Sequence, residues 1–289
     1  MIRHNFAVFI ISHGRADNVL TLEMLREKVS YSGKIYIVCD DGDDQLAEYK
    51  ALSGVDDVLI FNKAKYREVT DPMNNFPGNK GCVYARNACW DFAEKLGIEY
   101  FLELDDDYTS FVYRYERETL YGVELVSLPI RDFDSLVNCT VNYLKSSNIT
   151  CLAYAQGGDF IGGIQSAVWK YGCRRKVMNT FFCATKRRFP WLGQMNEDIT
   201  TSTLGTWRGD IFLTISKAAI IQPQTQLAAG GMTELYKAAG CFEKPFYTVM
   251  AAPSCAKISM LNTSHARVHH KICYDFTAPK IISPEYKKA

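Results

Sequence analysis

Short apolar runs that end on polar or acidic residues constrain this chain most. Phe6-Ala-Val-Phe-Ile-Ile11 runs into Ser12-His-Gly-Arg-Ala-Asp17, Ile35-Tyr-Ile-Val-Cys39 into Asp40-Asp-Gly-Asp-Asp44, and Tyr100-Phe-Leu-Glu-Leu104 into Asp105-Asp-Asp107. Each run is too short for a buried helix and rich in β-branched or aromatic residues, so each reads as an interior strand. Val58-Leu-Ile-Phe61 reads as another, shorter strand. The segments between them are amphipathic. Asn18 to Val29 places Leu20, Met24 and Leu25 near one-turn spacings. A stronger helix begins near Gly81, with Ala85, Ala88, Cys89, Phe92 and Leu96 as its stripe and Gly97 as its stop. This alternation predicts an α/β fold with a mostly parallel sheet flanked by helices. Sheets of that kind bind ligands beyond the carboxyl ends of their strands.

Beyond residue 107 the pattern loosens. Asp132 to Leu144 reads as a helix, and Cys151 to Ala155, Met178 to Thr185 and Ile211 to Ile215 read as strands. A polar stretch with Pro72, Pro77 and Gly78 reads as a long functional loop. No repeat or linker divides the chain. The expectation is one domain of two lobes, a nucleotide-type half over 1–130 and a smaller acceptor-type half over 131–289.

The net charge of +1 conceals a split: residues 1–159 hold 16 basic and 25 acidic side chains, whereas residues 160–289 hold 17 and 7. Asymmetry of this kind bears on partners. The ten cysteines show no C-x-x-C and no Cys/His cluster, which favours free thiols packed as small hydrophobes. The apolar run at the start is six residues, too short for a signal segment or a membrane span. A reducing, cytoplasmic setting without membrane insertion is expected.

The chemistry concentrates at the strand ends. Three adjacent carboxylates, Asp105, Asp106 and Asp107, repel one another unless a cation offsets them. Hard divalent ions such as Mg²⁺ or Mn²⁺ prefer oxygen ligands and keep positions for phosphates and water. Asp105 and Asp107 stand at D-x-D spacing, and a solvated acidic loop is the competing reading. Ser12, His13, Arg15 and Asp17 follow the first strand, and Asp40 and Asp41 end the second, where they could accept hydrogen bonds from a base or ribose. Arg86 and Asn87 open the helix before the triplet, where an arginine can neutralise a diphosphate. G-x-G-x-x-G and G-x-x-x-x-G-K-[ST] are both missing, which excludes the usual dinucleotide-binding and P-loop fingerprints.

Together these residues resemble the GT-A type of nucleotide-sugar-dependent glycosyltransferases, which have a Rossmann-like sheet. The resemblance covers residues 6 to about 205: the first-strand pocket, the Asp after the second strand, the Gly81…Ala85-Arg-Asn87 helix, Leu104-Asp-Asp-Asp107, and Asn196-Glu-Asp198 before a helix over Ile199 to Leu204. It implies a UDP-sugar donor, Mn²⁺ or Mg²⁺ on Asp105 and Asp107, contacts to the donor from Ser12, His13, Arg15, Asp40, Asp41, Arg86, Asn87, Asp105 and Asp106, and a base at Asp198 or Glu197. Inversion at the sugar carbon follows if inverting members are the right comparison. A third metal ligand would come from the histidines of Ser264-His-Ala-Arg-Val-His-His270, with His265 and His269 at helical i, i+4 spacing. The Ser-His-Gly-Arg-Ala start, Leu-Asp-Asp-Asp-Tyr108 and Asn-Glu-Asp look most like the TET-associated glycosyltransferases, found largely in phages and related to the base J glucosyltransferase. That implies sugar transfer to a hydroxymethylated pyrimidine, 5-hydroxymethylcytosine, in DNA.

The acceptor half fits such a partner. No acidic residue occurs between Phe160 and Asn196, while Lys170, Arg174, Arg175, Lys176, Lys186, Arg187 and Arg188 all fall there, interleaved with Trp169, Tyr171, Phe181, Phe182, Phe189 and Trp191. Basic groups for phosphates and aromatics for stacking make a nucleic-acid surface; a solvated basic face over core aromatics is the alternative. Two other functions stay open: a glycosyltransferase acting on a glycan, lipid or protein hydroxyl, and a non-catalytic nucleic-acid-binding protein of this fold.

Overall fold

The computed structural model describes residues 1–73, 81–223, 243–262 and 266–277. In chain order it runs β1 (Phe6–Ile11), α1 (Leu20–Glu23, continued by a π-helical turn Met24–Lys28), β2 (Lys34–Asp40), α2 (Leu46–Lys50), β3 (Asp57–Phe61), α3 (Lys63–Val69), α4 (Val83–Lys95) and β4 (Tyr100–Asp105). There follow β5 (Ser110–Thr119), β6 (Gly122–Pro129), α5 (Phe133–Ser146), β7 (Cys151–Ala155), α6 (Ala167–Tyr171), β8 (Cys173–Arg174), β9 (Thr180–Ala184), α7 (Glu197–Trp207) and β10 (Phe212–Ile221). Residues 243–251 are helical, and β11 (Ala256–Asn262) and β12 (Ala266–Ile272) pair as an antiparallel hairpin.

Ten strands form one sheet in the order β3-β2-β1-β4-β9-β7-β10-β5-β6, with β8 against β10. The strands β1 to β4, and β7 with β10, point one way; β9 runs against both of its neighbours. The mostly parallel sheet expected from the alternation is therefore present. Strands from both expected lobes belong to it.

Both faces are covered. Phe133, Val137, Val141 and Leu144 of α5 pack with Val8, Ile10 and Leu102, and Val83, Ala88, Cys89 and Trp90 of α4 pack with Ala7, Phe9 and Phe101. Burial on two faces explains why these strands read as continuous apolar runs. In register, Ile11 pairs with both Val38 and Asp105, and Leu104 with Thr180, so the loops after β1, β2 and β4 and the one before β9 share one edge.

Several expectations need correction. The first helix begins at Leu20, two residues late, and β10 extends six residues past Ile215. Nothing in the sequence reading anticipated the β5–β6 hairpin. The helical spacing assigned to His265 and His269 does not hold, because His269 lies in strand β12; His265 lies outside the described residues. Phe181, Phe182, Phe189 and Trp191 are core side chains, and α4 lies over three of them, so they cannot stack on bases. Nine cysteines among the described residues are free, five of them buried. Among the described residues no helix is long and apolar enough to cross a membrane. Residues 74–80 of the expected loop lie outside the described residues.

Candidate active site

The edge where β1, β2 and β4 end gathers most of the chemistry, and its centre is the turn after β4. Thr21 of α1 pins this turn from behind. Its hydroxyl donates to the Asp105 carbonyl (2.6 Å) and accepts from the Tyr108 amide (2.9 Å), while its own amide donates to the Asp106 carbonyl (3.1 Å). The three carboxylates are thereby sent different ways.

Asp106 turns inward. It accepts from the Ser12 hydroxyl (2.6 Å) and the Arg15 guanidinium (2.8 Å), and Tyr49 holds Ser12 (2.7 Å) and the Arg15 amide (2.9 Å) from the other side. Burial raises its pKa, opposed by Ser12 and Arg15. Asp106, Ser12 and Arg15 thus fasten the loop after β1 to the turn after β4. Asp105 remains partly open, with Oδ1 3.0 Å from Arg86 Nη2 and Oδ2 3.1 Å from the Tyr108 hydroxyl, which also donates to the Asn179 carbonyl (2.5 Å). Asp107 has no hydrogen bond or ion pair to another side chain among the described residues. Burial, then Asp105 and Asp106, push it up to about 6.

An open carboxylate beside an unpaired one, both held by their own backbone turn, suits a hard divalent cation that completes its shell with water and substrate oxygens. Among the described residues no third Asp, Glu, His or Cys completes a cluster around them.

Beside the ends of β1 and β2, His13, Asp40 and Asp43 form a charged cluster. His13 Nδ1 lies 2.8 Å from Asp40 Oδ2 and 3.3 Å from Asp43 Oδ2. Lys63 Nζ (3.2 Å) and the Gly42 amide (3.1 Å) also reach Asp40. The hydrogen bond to Asp40 raises His13 against the effect of burial. Burial would raise Asp40, but His13 and Lys63 take it down to about 2. Asp43 accepts from the Gly14 amide (2.9 Å), where the backbone at φ +64° favours glycine. Asp41 is not brought into this group, since its carboxylate binds Asn62 (2.6 Å) and the Lys63 amide (3.1 Å) at the start of α3.

Arg86 and Asn87 do not take the places expected of donor ligands. Asn87 holds both backbone groups of Trp191, its amide donating to the carbonyl (3.0 Å) and its carbonyl accepting from the N–H (3.0 Å). Arg86 is 2% exposed. Its Nε donates to Glu197 Oε1 (3.1 Å) and its Nη2 to Asp105, and Glu103 Oε2 stands 3.8 Å from Nη1. Burial works against its charge, but Asp105 and Glu197 hold it protonated above the ordinary arginine range. Burial pushes Glu103 up to about 8 despite Arg86. The guanidinium is thus occupied by protein carboxylates rather than open at the donor edge.

At the N-terminus of α7, Asn196 adopts a left-handed backbone (φ 53°), and its side-chain amide donates to the Lys244 carbonyl (2.8 Å) and lies 3.3 Å from His270 Nδ1. His270, not His269, is the histidine brought to this helix end. Burial lowers it to about 3, so the imidazole is neutral. Glu197 is buried on Arg86 and also accepts from the Cys82 thiol (3.1 Å). Asp198 keeps its carboxylate for the Ile199 amide (2.7 Å), and burial followed by Glu197 raises it to about 6.

The basic run is divided. Arg174 lies over the Tyr274 ring (5.0 Å) and Lys176 pairs with Asp159; both bear on the Asp198–His270 side. Lys170 and Arg175 are exposed. Lys186, Arg187 and Arg188 follow the far end of β9, where Ala184 pairs with Tyr100. That is about 13–16 Å of strand from the Asp105 edge. Arg187 is anchored to the Leu144 (2.9 Å) and Ile149 (2.6 Å) carbonyls, and Arg188 to Asp91 (2.6 Å).

Comparison with known proteins adds the following. No curated protein matches the sequence. Glucosyl-3-phosphoglycerate synthase from Mycobacterium tuberculosis, solved with Mn²⁺, UDP and phosphoglyceric acid, is 10% identical with a TM-score of 0.48, over 93% of this chain and 87% of that one. GalNAc-T7, solved with UDP, GalNAc and Mn²⁺, is 13% identical with a TM-score of 0.42, over 76% and 44%. The family model of the TET-associated glycosyltransferases matches residues 6–231. With more than three quarters of its length inside that match, from β1 through the Asp triplet and α7 to the end of β10, the chain belongs to the TET-associated glycosyltransferases.

Proposed function

We propose that this glycosyltransferase moves a sugar from a UDP-sugar to the hydroxyl of 5-hydroxymethylcytosine in DNA, with Mn²⁺ or Mg²⁺ bound at Asp105 and Asp107. The observation that carries the reading is the buried Arg86 bridge, which joins Asp105 to Glu197, the chain neighbour of Asp198. Asp105 stands open at the donor edge, and Asp198, shifted toward neutrality, stands at the head of α7. A base poised near the working pH removes the acceptor proton most effectively, typically contributing ~10²–10⁴-fold. When bound, the cation offsets charge on the departing diphosphate. The His13–Asp40–Asp43 group would face the base and ribose of the donor. His270 is better placed than His269 to approach the site.

DNA as acceptor is supported by family membership and by Arg174 over the Tyr274 ring and Lys176 on the His270 side. A duplex base would have to be extruded, or be single-stranded, to reach the base at α7. The second reading is transfer to a smaller or non-nucleic acceptor. It is favoured by one observation: of the aromatics proposed for stacking only Tyr171 is exposed, the others being buried, and Lys186 to Arg188 are remote. Incubation with hydroxymethylcytosine DNA, Mn²⁺ and a panel of UDP-sugars, read by nucleoside mass spectrometry, separates the two. A mass shift on the modified base supports the DNA reading; none with any donor removes it.

A further inference from the structure

Arg86 makes contacts out of proportion to any role in folding α4. Among the described residues it is the one cation bonded to both a strand-end carboxylate, Asp105, and a helix-start carboxylate, Glu197, that are separated by 92 positions in sequence. Its guanidinium lies 4.5 Å from the Phe181 ring centroid and 5.7 Å from that of Trp191. Trp191 in turn is held at both backbone groups by Asn87, the next residue on α4. The plane of the guanidinium is therefore fixed by rings, and its edges are fixed by carboxylates. Glu197 is secured a second time by Cys82, the residue that caps the start of α4. Buried ion pairs of this kind are costly to desolvate and are often no more stable than apolar packing. What they supply is fixed geometry.

We propose that Arg86 is a positioning residue: it clamps the donor-side Asp105 to the acceptor-side helix α7, so that Asp198 is set for transfer to the acceptor hydroxyl rather than to water. The proposal rests on the reading of Asp105 and Asp198 given above. Lysine cannot replace this clamp, because a single ammonium does not present two divergent N–H edges in one plane. With the clamp loosened, α7 is free to shift while the donor site keeps its own supports, Thr21 behind the turn and Tyr108 on Asp105. Misplacement on the scale of 1 Å is enough for ~10²-fold in rate.

The test uses the full chain with R86K, E197Q and C82A. Calorimetry with UDP and Mn²⁺ reads donor binding. Sugar transfer to hydroxymethylcytosine DNA and UDP-sugar hydrolysis are read side by side. E197Q and R86K are expected to bind UDP within about threefold of the parent and to lose roughly 10²-fold in transfer through kcat rather than the acceptor KM. Hydrolysis should take a larger share of turnover. The double variant should be no worse than either single one, because both break one link. C82A should show the same redistribution in smaller degree.

A tenfold or greater loss of UDP affinity in R86K, with E197Q binding normally, would make Arg86 a diphosphate ligand and overturn the clamp. Additive losses in the double variant, or transfer and hydrolysis falling in equal proportion, would overturn it as well. Should R86K fail to fold, E197Q and C82A decide alone, since both leave the Arg86–Asp105 pair intact. Absence of transfer by the parent would sink the acceptor assignment instead, while UDP binding and donor hydrolysis still decide the role of Arg86.

Discussion

Replacing Asp198 by Asn should make the enzyme slower and the fold more stable at once. Burial and the neighbouring Glu197 raise this carboxyl from an ordinary 3.8 to about 6. For a carboxyl raised on folding, the native state holds its proton longer than the unfolded chain does. Below pH 3.8 both states are protonated and the group contributes nothing. Between 3.8 and about 6 stability falls as pH rises, and above 6 a constant penalty remains. At 1.36 kcal/mol per pH unit the penalty is at most about 3 kcal/mol. The side chain is partly open to solvent, so about 1–2 kcal/mol is the working expectation.

Urea unfolding of the parent and D198N at pH 7.5 and at pH 4 checks this. D198N should be the more stable protein at about pH 7.5, and the difference should shrink toward zero near about pH 4. The same variant removes the proposed base, so turnover should drop ~10²–10⁴-fold. The parent's kcat should rise with pH through a limb near 6, and that limb should be missing in D198N. Turnover of D198N within tenfold of the parent would refute the base assignment. A D198N protein equal to or weaker than the parent at neutral pH would refute the electrostatic account of the site.

Four other outcomes follow from the contacts. Thr21→Val removes two ties to the Asp turn at once, those of the hydroxyl; a loss of about 1–3 kcal/mol in unfolding experiments is expected, together with a higher Mn²⁺ requirement. His13→Ala should cost stability at pH 5–6, where His13 is charged against Asp40, and cost little as pH rises past the elevated His13 value; thermal scans at about pH 5.5 and pH 9 compare the two. Asp107→Asn should abolish Mn²⁺-dependent turnover while leaving circular dichroism unchanged, since that carboxylate supports no other side chain among the described residues. Joint replacement of Arg174 and Arg175 by Ala should flatten the salt dependence of DNA modification by about one to two units of slope, whereas Lys186→Ala should leave it unaltered.

The central architecture was legible because buried parallel strands leave an unambiguous mark. Phe6–Ile11 and Cys151–Ala155 are strands over the same residues that their apolar character predicts, since neither face meets water. The β5–β6 hairpin left no such mark. Tyr113, Tyr115, Val126 and Leu128 share one face and are open to solvent to varying degrees, so apolar and polar residues mix without a clean period of two. The length of β10 was hidden for another reason: its register shifts between Ile215 and Ala219, and a bulge resets the alternation that marks a strand.

The site divides along a different line. Residue types that bind through their own backbone turn, such as Asp105 and Asp107, could be placed by local sequence. Arg86 could not, because its partners come from β4 and α7 and its burial comes from β9 and the segment around Trp191. The same holds for the charge count. A surplus of basic residues after position 159 suggested a single anionic-polymer face, yet folding sends Lys186 to Arg188 to the far end of β9, lays Arg174 over Tyr274 and pairs Lys176 with Asp159. Asn196 would have been the better clue. A left-handed asparagine ahead of two acids gathers the helix at 243–251 and His270 onto the head of α7, where no local pattern places them.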